Sequence, residues 1–174
     1  MTDGEEATYG GLVTAYPYAF RRSGSWLFRS YVVLGGGVAL LIALFFALGL
    51  VQLIARTAAV PGGTLTLSRA FYIVVFLFAV FPLVVPVLVV ARRFRRQGAV
   101  PGGAQFRLAL AGYVYLLSLY FGMAVLAPDA NEPAATGALA PLIATLNGLP
   151  DLAGLVLAGA GAALVAVLGW RARS

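Results

Sequence analysis

The side chains able to move a proton fall into two groups. Asp129, Glu132 and Asp151 lie towards the C-terminus, and Asp3, Glu5 and Glu6 near the N-terminus. A carboxylate can serve as general acid or base, but neither group carries a nucleophile or a metal site beside it. The chain has no Cys and no His. Thiol and disulfide chemistry are therefore excluded, and so are the common ligands of catalytic zinc and haem iron. All twelve basic residues are Arg, so there is no Lys for a retinal Schiff base. Ser118 and the tyrosines lack an activating base. Phosphate loops, dinucleotide fingerprints and metal-ligand spacings are missing from the sequence. No catalytic, cofactor-binding or metal residue is assigned, no cofactor is expected, and the chain reads as a non-enzyme.

Three other features have the residue types for physical, not covalent, work. Arg92, Arg93, Arg95 and Arg96 form the densest charge cluster. Each can contribute on the order of 1 kcal/mol of attraction to an anionic leaflet, so they are expected to contact anionic lipid headgroups or a partner. Pro82 and Pro86 sit in an apolar run and each removes a backbone donor. A helix kink is expected there, and the carbonyls of Phe78 and Pro82 need other donors. Ser118, Tyr113, Tyr115 and Tyr120 are the candidates. Finally, Gly154, Ala158, Ala162 and Ala166 recur every four residues, with Gly161 and Gly169 nearby. Small residues so spaced let another helix approach closely, either a partner's or one from the same bundle.

The elements that carry these residues follow from where charge is missing. No ionisable Asp, Glu, Arg, Lys or His lies between Arg29 and Arg56, Arg69 and Arg92, Arg107 and Asp129, or Asp151 and Arg171. A helix needs about 20 apolar residues to cross roughly 30 Å of hydrocarbon. The chain is 61 % hydrophobic and 10 % charged, against roughly 25 % charged for a soluble domain. The runs are too long and too uniformly apolar for a membrane barrel. The fold class is therefore all-α integral membrane: a four-transmembrane-helix bundle with spans at about 30–55, 70–91, 108–128 and 152–170. Residues 30–170 form one membrane domain, 1–29 a tail and interfacial segment, and 171–174 a short tail.

With four spans both termini share one side with the middle loop. That side holds Arg21, Arg22, Arg29, Arg92, Arg93, Arg95, Arg96, Arg107, Arg171 and Arg173; the other holds Arg56 and Arg69. The bias predicts both termini in the cytoplasm of a cell-membrane protein. The net charge of +6 belongs to span flanks and gives no reason to expect nucleic acid. Arg21–Arg22 precede an apolar run, but one far longer than the roughly 7–15 residues of a signal core. Residues 1–11 are expected to be disordered. Tyr16 to Phe28 mixes aromatics with arginines, the composition of a short segment lying at the headgroup layer or of a docking site. Gly35, Gly36 and Gly37 either accept a close neighbour or weaken the first span.

Ala59–Gly63 and Ala99–Gly103 carry the same five residues, read as recurring Pro-Gly turn chemistry more than as a transporter's inverted repeat. The loop 128–150 carries Leu139, Leu142, Ile143 and Leu146 at helical spacing, which suits an interfacial or re-entrant helix or a plain connector. The absence of Lys beside heavy Ala, Gly, Val and Leu use points to a GC-rich prokaryotic genome. The leading functional expectation is a non-catalytic accessory or structural subunit of a larger membrane assembly. The alternative is a small homo-oligomeric transporter or channel, whose path would be lined by Tyr, Ser118, Gln52 and backbone carbonyls.

Overall fold

A computed structural model of the chain describes residues 11–57, 64–127 and 140–172. They form six helices: α1 (Leu12–Arg22), α2 (Trp26–Thr57), α3 (Thr64–Gln97), α4 (Gly102–Leu126), α5 (Ala140–Asn147) and α6 (Asp151–Arg171). Helices α2, α3, α4 and α6 are long and apolar enough to cross a membrane, so the protein is an all-helical, multi-pass membrane protein. The helices outrun the charge-free gaps. Helix α2 begins at Trp26, and α3 runs from Thr64 to Gln97. Charge marks where hydrocarbon ends, whereas a backbone ladder continues into the headgroup layer at no loss.

The segment expected to lie as one piece from Tyr16 to Phe28 is two helices. Ser23 leaves α1 with extended backbone (ψ 129°), and Ser25 Oγ accepts from the Phe28 N–H at 3.4 Å, an N-cap for α2. The α3–α4 turn is also built locally. Gly98 adopts a positive φ of 71° and donates its N–H to the Phe94 carbonyl at 3.0 Å, closing α3 with a left-handed cap. Pro101 then caps α4. The positive φ thus falls at Gly98, ahead of the repeated Ala99–Gly103 motif, whose Gly102 and Gly103 are already helical. The first copy of that motif, in residues 59–63, lies outside the described residues.

Arg21, Arg22, Arg29, Arg92, Arg93, Arg95, Arg96, Arg107 and Arg171 share one end of the bundle; Arg56 and Arg69 flank the other end of the α2–α3 hairpin. The core sits in the arginine-rich half. Ala15 and Ala19 of α1, Phe28, Tyr31 and Val32 of α2, Leu83 to Ala91 of α3, Leu108 to Tyr115 of α4 and Val165 of α6 meet there. Beyond this layer the bundle divides. After Ala39 in α2 and before Pro82 in α3, none of the described side chains is buried. These two arms meet at Phe46, whose ring lies 4.8 Å from Tyr72 and 5.3 Å from Phe76, centroid to centroid, and at Gly49, which faces the Tyr72 hydroxyl. The other pair, α4 and α6, stays in close contact to Gly122, Val125 and Gly154. Helix α5 packs on α4. Of its expected stripe, Leu146 is half-buried, while Leu139 and the side chains of Leu142 and Ile143 lie outside the described residues.

Candidate functional site

Helix α3 passes through Pro82 and Pro86 without leaving helical conformation. Pro82 has no N–H for the Phe78 carbonyl, and lipid offers no replacement donor. Of the hydroxyls expected to serve, the structure selects Tyr115. Its OH donates to the Phe78 carbonyl at 3.1 Å and the Ala79 carbonyl at 3.0 Å. Tyr113 instead meets the Ser30 hydroxyl at 2.8 Å. Ser118 donates to the Tyr115 carbonyl of its own helix at 2.8 Å, and Tyr120 is 67 % exposed. Tyr31, not singled out by sequence, donates to the Leu83 carbonyl at 2.7 Å. Its ring fills the space that Gly112 leaves open.

A second polar cluster was not legible in the sequence. Ser23, from the α1–α2 turn, donates to Gln105 Oε1 at 2.6 Å. Gln105 Nε2 donates to the Val100 carbonyl at 2.8 Å, and Arg29 Nε donates to the Ser23 carbonyl at 2.8 Å. Gln105 is 3 % exposed and Ser23 1 %. Together they tie α1 and the start of α2 to the α3–α4 turn. The available signal was a lone amide in the first turn of an apolar span, since a buried amide requires partners. Gln105→Leu strands the Val100 carbonyl and removes the 2.6 Å acceptor of the Ser23 hydroxyl. It is expected to lower stability by roughly 1–3 kcal/mol, read as a lower unfolding temperature and faster proteolysis between α1 and α2.

Helix α1 lies against α2 and α3, and Tyr16 reaches α2 at Gly36. A Cβ on Gly36 would stand 2.8 Å from Tyr16 Cε1, so this glycine admits α1, not another span. Gly35 faces the Tyr31 ring and Gly37 faces open space. The Tyr16 hydroxyl is buried with no hydrogen-bond partner among the described residues, and burial raises its pKa. Arg22 lies over Tyr18 at 5.4 Å and Arg29 over Phe20 at 5.7 Å. Removing an unpartnered hydroxyl removes a desolvation penalty, so Tyr16→Phe is expected to leave the unfolding temperature unchanged or raise it slightly.

The α6 small-residue face divides between two neighbours. Gly154 and Ala158 meet Gly122 of α4, and Gly161 faces Ser118 and Tyr115 of the same helix. Ala162 is buried, but Ala166 is exposed. Each four-residue step overshoots a full turn by about 40°, so the row rotates away from α4 by its last member. Ala166 then lines a groove between α6 and α3 with Phe81, Pro82, Val85, Val165 and Gly169. The two helices cross at Gly169, where a Cβ would lie 3.2 Å from Val85.

On α3 the positions 81, 85, 88, 89, 92, 93, 96 and 97 form one stripe at three- and four-residue spacing. Its lower part is Phe81, Val85, Leu88 and Val89; its upper part is Arg92, Arg93, Arg96 and Gln97. The stripe and Ala172 border an open cleft of about 570 Å³. It joins the roughly 650 Å³ groove beside Ala166 through the shared Phe81 and Val85. Arg95, the fourth member of the expected cluster, does not line it. Trp26 is 81 % exposed and Trp170 78 %, and both sit at this end, where indoles favour the membrane interface.

A family model described as a domain of unknown function (DUF8056) matches residues 1–173. No curated protein and no solved structure matches the chain.

Proposed function

The chain belongs to the DUF8056 family of unknown function, and on that premise we propose that it is a non-catalytic accessory or structural subunit of a larger membrane assembly. We place it in the cell membrane with both termini in the cytoplasm and α1 lying at the cytoplasmic interface. The arginine asymmetry supports that orientation. The observation behind the subunit role is the half-packed α2–α3 hairpin. Leu40, Leu41, Leu44, Phe45, Leu48 and Val51 of α2 are all more than half exposed, as are Phe71, Val74, Leu77 and Phe78 of α3. The α4–α6 pair is close-packed over the same depth. A long hairpin lacking lateral support gains most from a neighbouring helix, because association in lipid depends on packing and not on hydrophobic exclusion.

The experiment is gentle extraction of the tagged full chain, followed by particle-mass measurement and identification of co-purifying proteins. A stoichiometric partner contacting α2 or α3 by cross-linking is expected. A strictly monomeric particle that retains no protein overturns the reading. Reporter fusions at the two ends should both report cytoplasmic. In the alternative, a homo-oligomeric transporter or channel, backbone carbonyls, Gln52 and the hydroxyls of Tyr and Ser118 would line the path. Tyr31, Tyr115 and Ser118 spend theirs on backbone carbonyls, so the subunit reading is preferred.

A further inference from the structure

We propose that the α3–α6 groove is a defined site for one anionic phospholipid. The phosphate sits among Arg92, Arg93 and Arg96, and an acyl chain runs past Leu88, Val85 and Phe81 towards Ala166. Three observations carry this, and none depends on the subunit reading. First, the groove is amphipathic along its length. Arginines cap one end and hydrocarbon side chains line the rest, with Gly169 and Ala166 keeping the α6 wall low. Second, no described carboxylate lies near these arginines. Asp151 is the one carboxylate among the described residues, and it begins α6 while the arginines face that helix's other end, roughly 30 Å away. Third, the exposed Trp170 and Trp26 put this end at headgroup depth. A soluble anion would satisfy the guanidinium groups and leave the apolar floor empty. A zwitterionic lipid would fill the floor but bring a cation towards three arginines. An anionic headgroup on a hydrocarbon chain fits both parts, as basic pockets between membrane helices generally do.

The test uses the purified full chain in a mild non-ionic detergent, titrated with phosphatidylglycerol, phosphatidylcholine or inorganic phosphate. Binding is read by native mass spectrometry and by the shift in unfolding temperature. One phosphatidylglycerol per chain is expected to stay bound and raise the unfolding temperature, while phosphatidylcholine and phosphate do neither. The Arg92→Gln/Arg93→Gln/Arg96→Gln variant should bind it on the order of a hundredfold more weakly. Arg21→Gln/Arg22→Gln, at the other face of the same end, should bind as the unaltered chain does. Ala166→Trp fills the groove from an exposed position and should abolish retention while the unliganded unfolding temperature stays put. If the triple variant does not fold, Arg93→Gln and Ala166→Trp decide. Equal binding of the two lipids, competition by phosphate alone, or full retention in Ala166→Trp would overturn the assignment.

Discussion

Gly122→Ala and Gly154→Ala are each expected to lower stability by about 1–3 kcal/mol, with Gly122→Val at or beyond the upper end. The sign is not obvious from helix propensity, because Ala is favoured over Gly inside a helix by roughly 1 kcal/mol. Contact geometry decides it. A Cβ on Gly122 would stand 2.6 Å from the Gly154 carbonyl oxygen, and one on Gly154 would stand 2.6 Å from the Gly122 carbonyl oxygen. Both obstacles are backbone, which can yield only if α4 and α6 separate. A Cβ on Gly159, five residues along α6 and so on another face, meets nothing within 4 Å, so Gly159→Ala should stabilise by about 0.5–1 kcal/mol. Thermal unfolding in detergent, run on the three alanine variants, reads the contrast. Equal changes at positions 154 and 159 would mean that the helices are not in backbone contact. The Gly122→Ala/Gly154→Ala double variant should cost less than the two singles added, since the first alanine already forces the helices apart.

Tyr115→Phe is expected to cost roughly 1–3 kcal/mol. The ring remains, so packing is kept and the hydroxyl alone is lost. That hydroxyl supplies the donor Pro82 cannot, and without it the Phe78 carbonyl faces apolar surroundings. Tyr120→Phe removes an equivalent hydroxyl from a 67 % exposed side chain and should change the unfolding temperature little. A double-variant cycle isolates the cause. Restoring the backbone donor through Pro82→Ala should make Tyr115→Phe nearly neutral. If Tyr115→Phe costs as much in that background as in the native one, the hydroxyl is not acting through Phe78.

Much of this is legible in the sequence. The four charge-free gaps set four apolar helices, since hydrocarbon thickness and helix rise are the same in every membrane protein. The small residues of α6 announced a close contact, and the two prolines announced an unmet carbonyl. What the spacing could not tell is which neighbour answers. Tyr113, Tyr115 and Tyr120 lie within two turns of one helix, and selecting Tyr115 depends on how α4 is rotated against α3. The four-residue row from Gly154 to Ala166 looked like one face; its drift around α6 hands Ala166 to the groove and leaves Gly161 on the side that meets α4. Ser23 and Gln105 are 82 positions apart and gave no local sign of meeting.

The amino-acid sequence by itself determined that this protein is helical, apolar and multi-pass, and that Cys, His and Lys chemistry are closed to it. These conclusions rest on local quantities: side-chain charge, run length and residue type. The tertiary structure alone decided that α4 pairs with α6, that the half of the α2–α3 hairpin beyond Ala39 and Pro82 stands apart, and that the arginines of α3 cap an apolar groove. Those are outcomes of which helix faces oppose one another, and in lipid that choice turns on ångström-scale shape at glycines such as Gly122 and Gly154, because hydrophobicity favours every pairing alike.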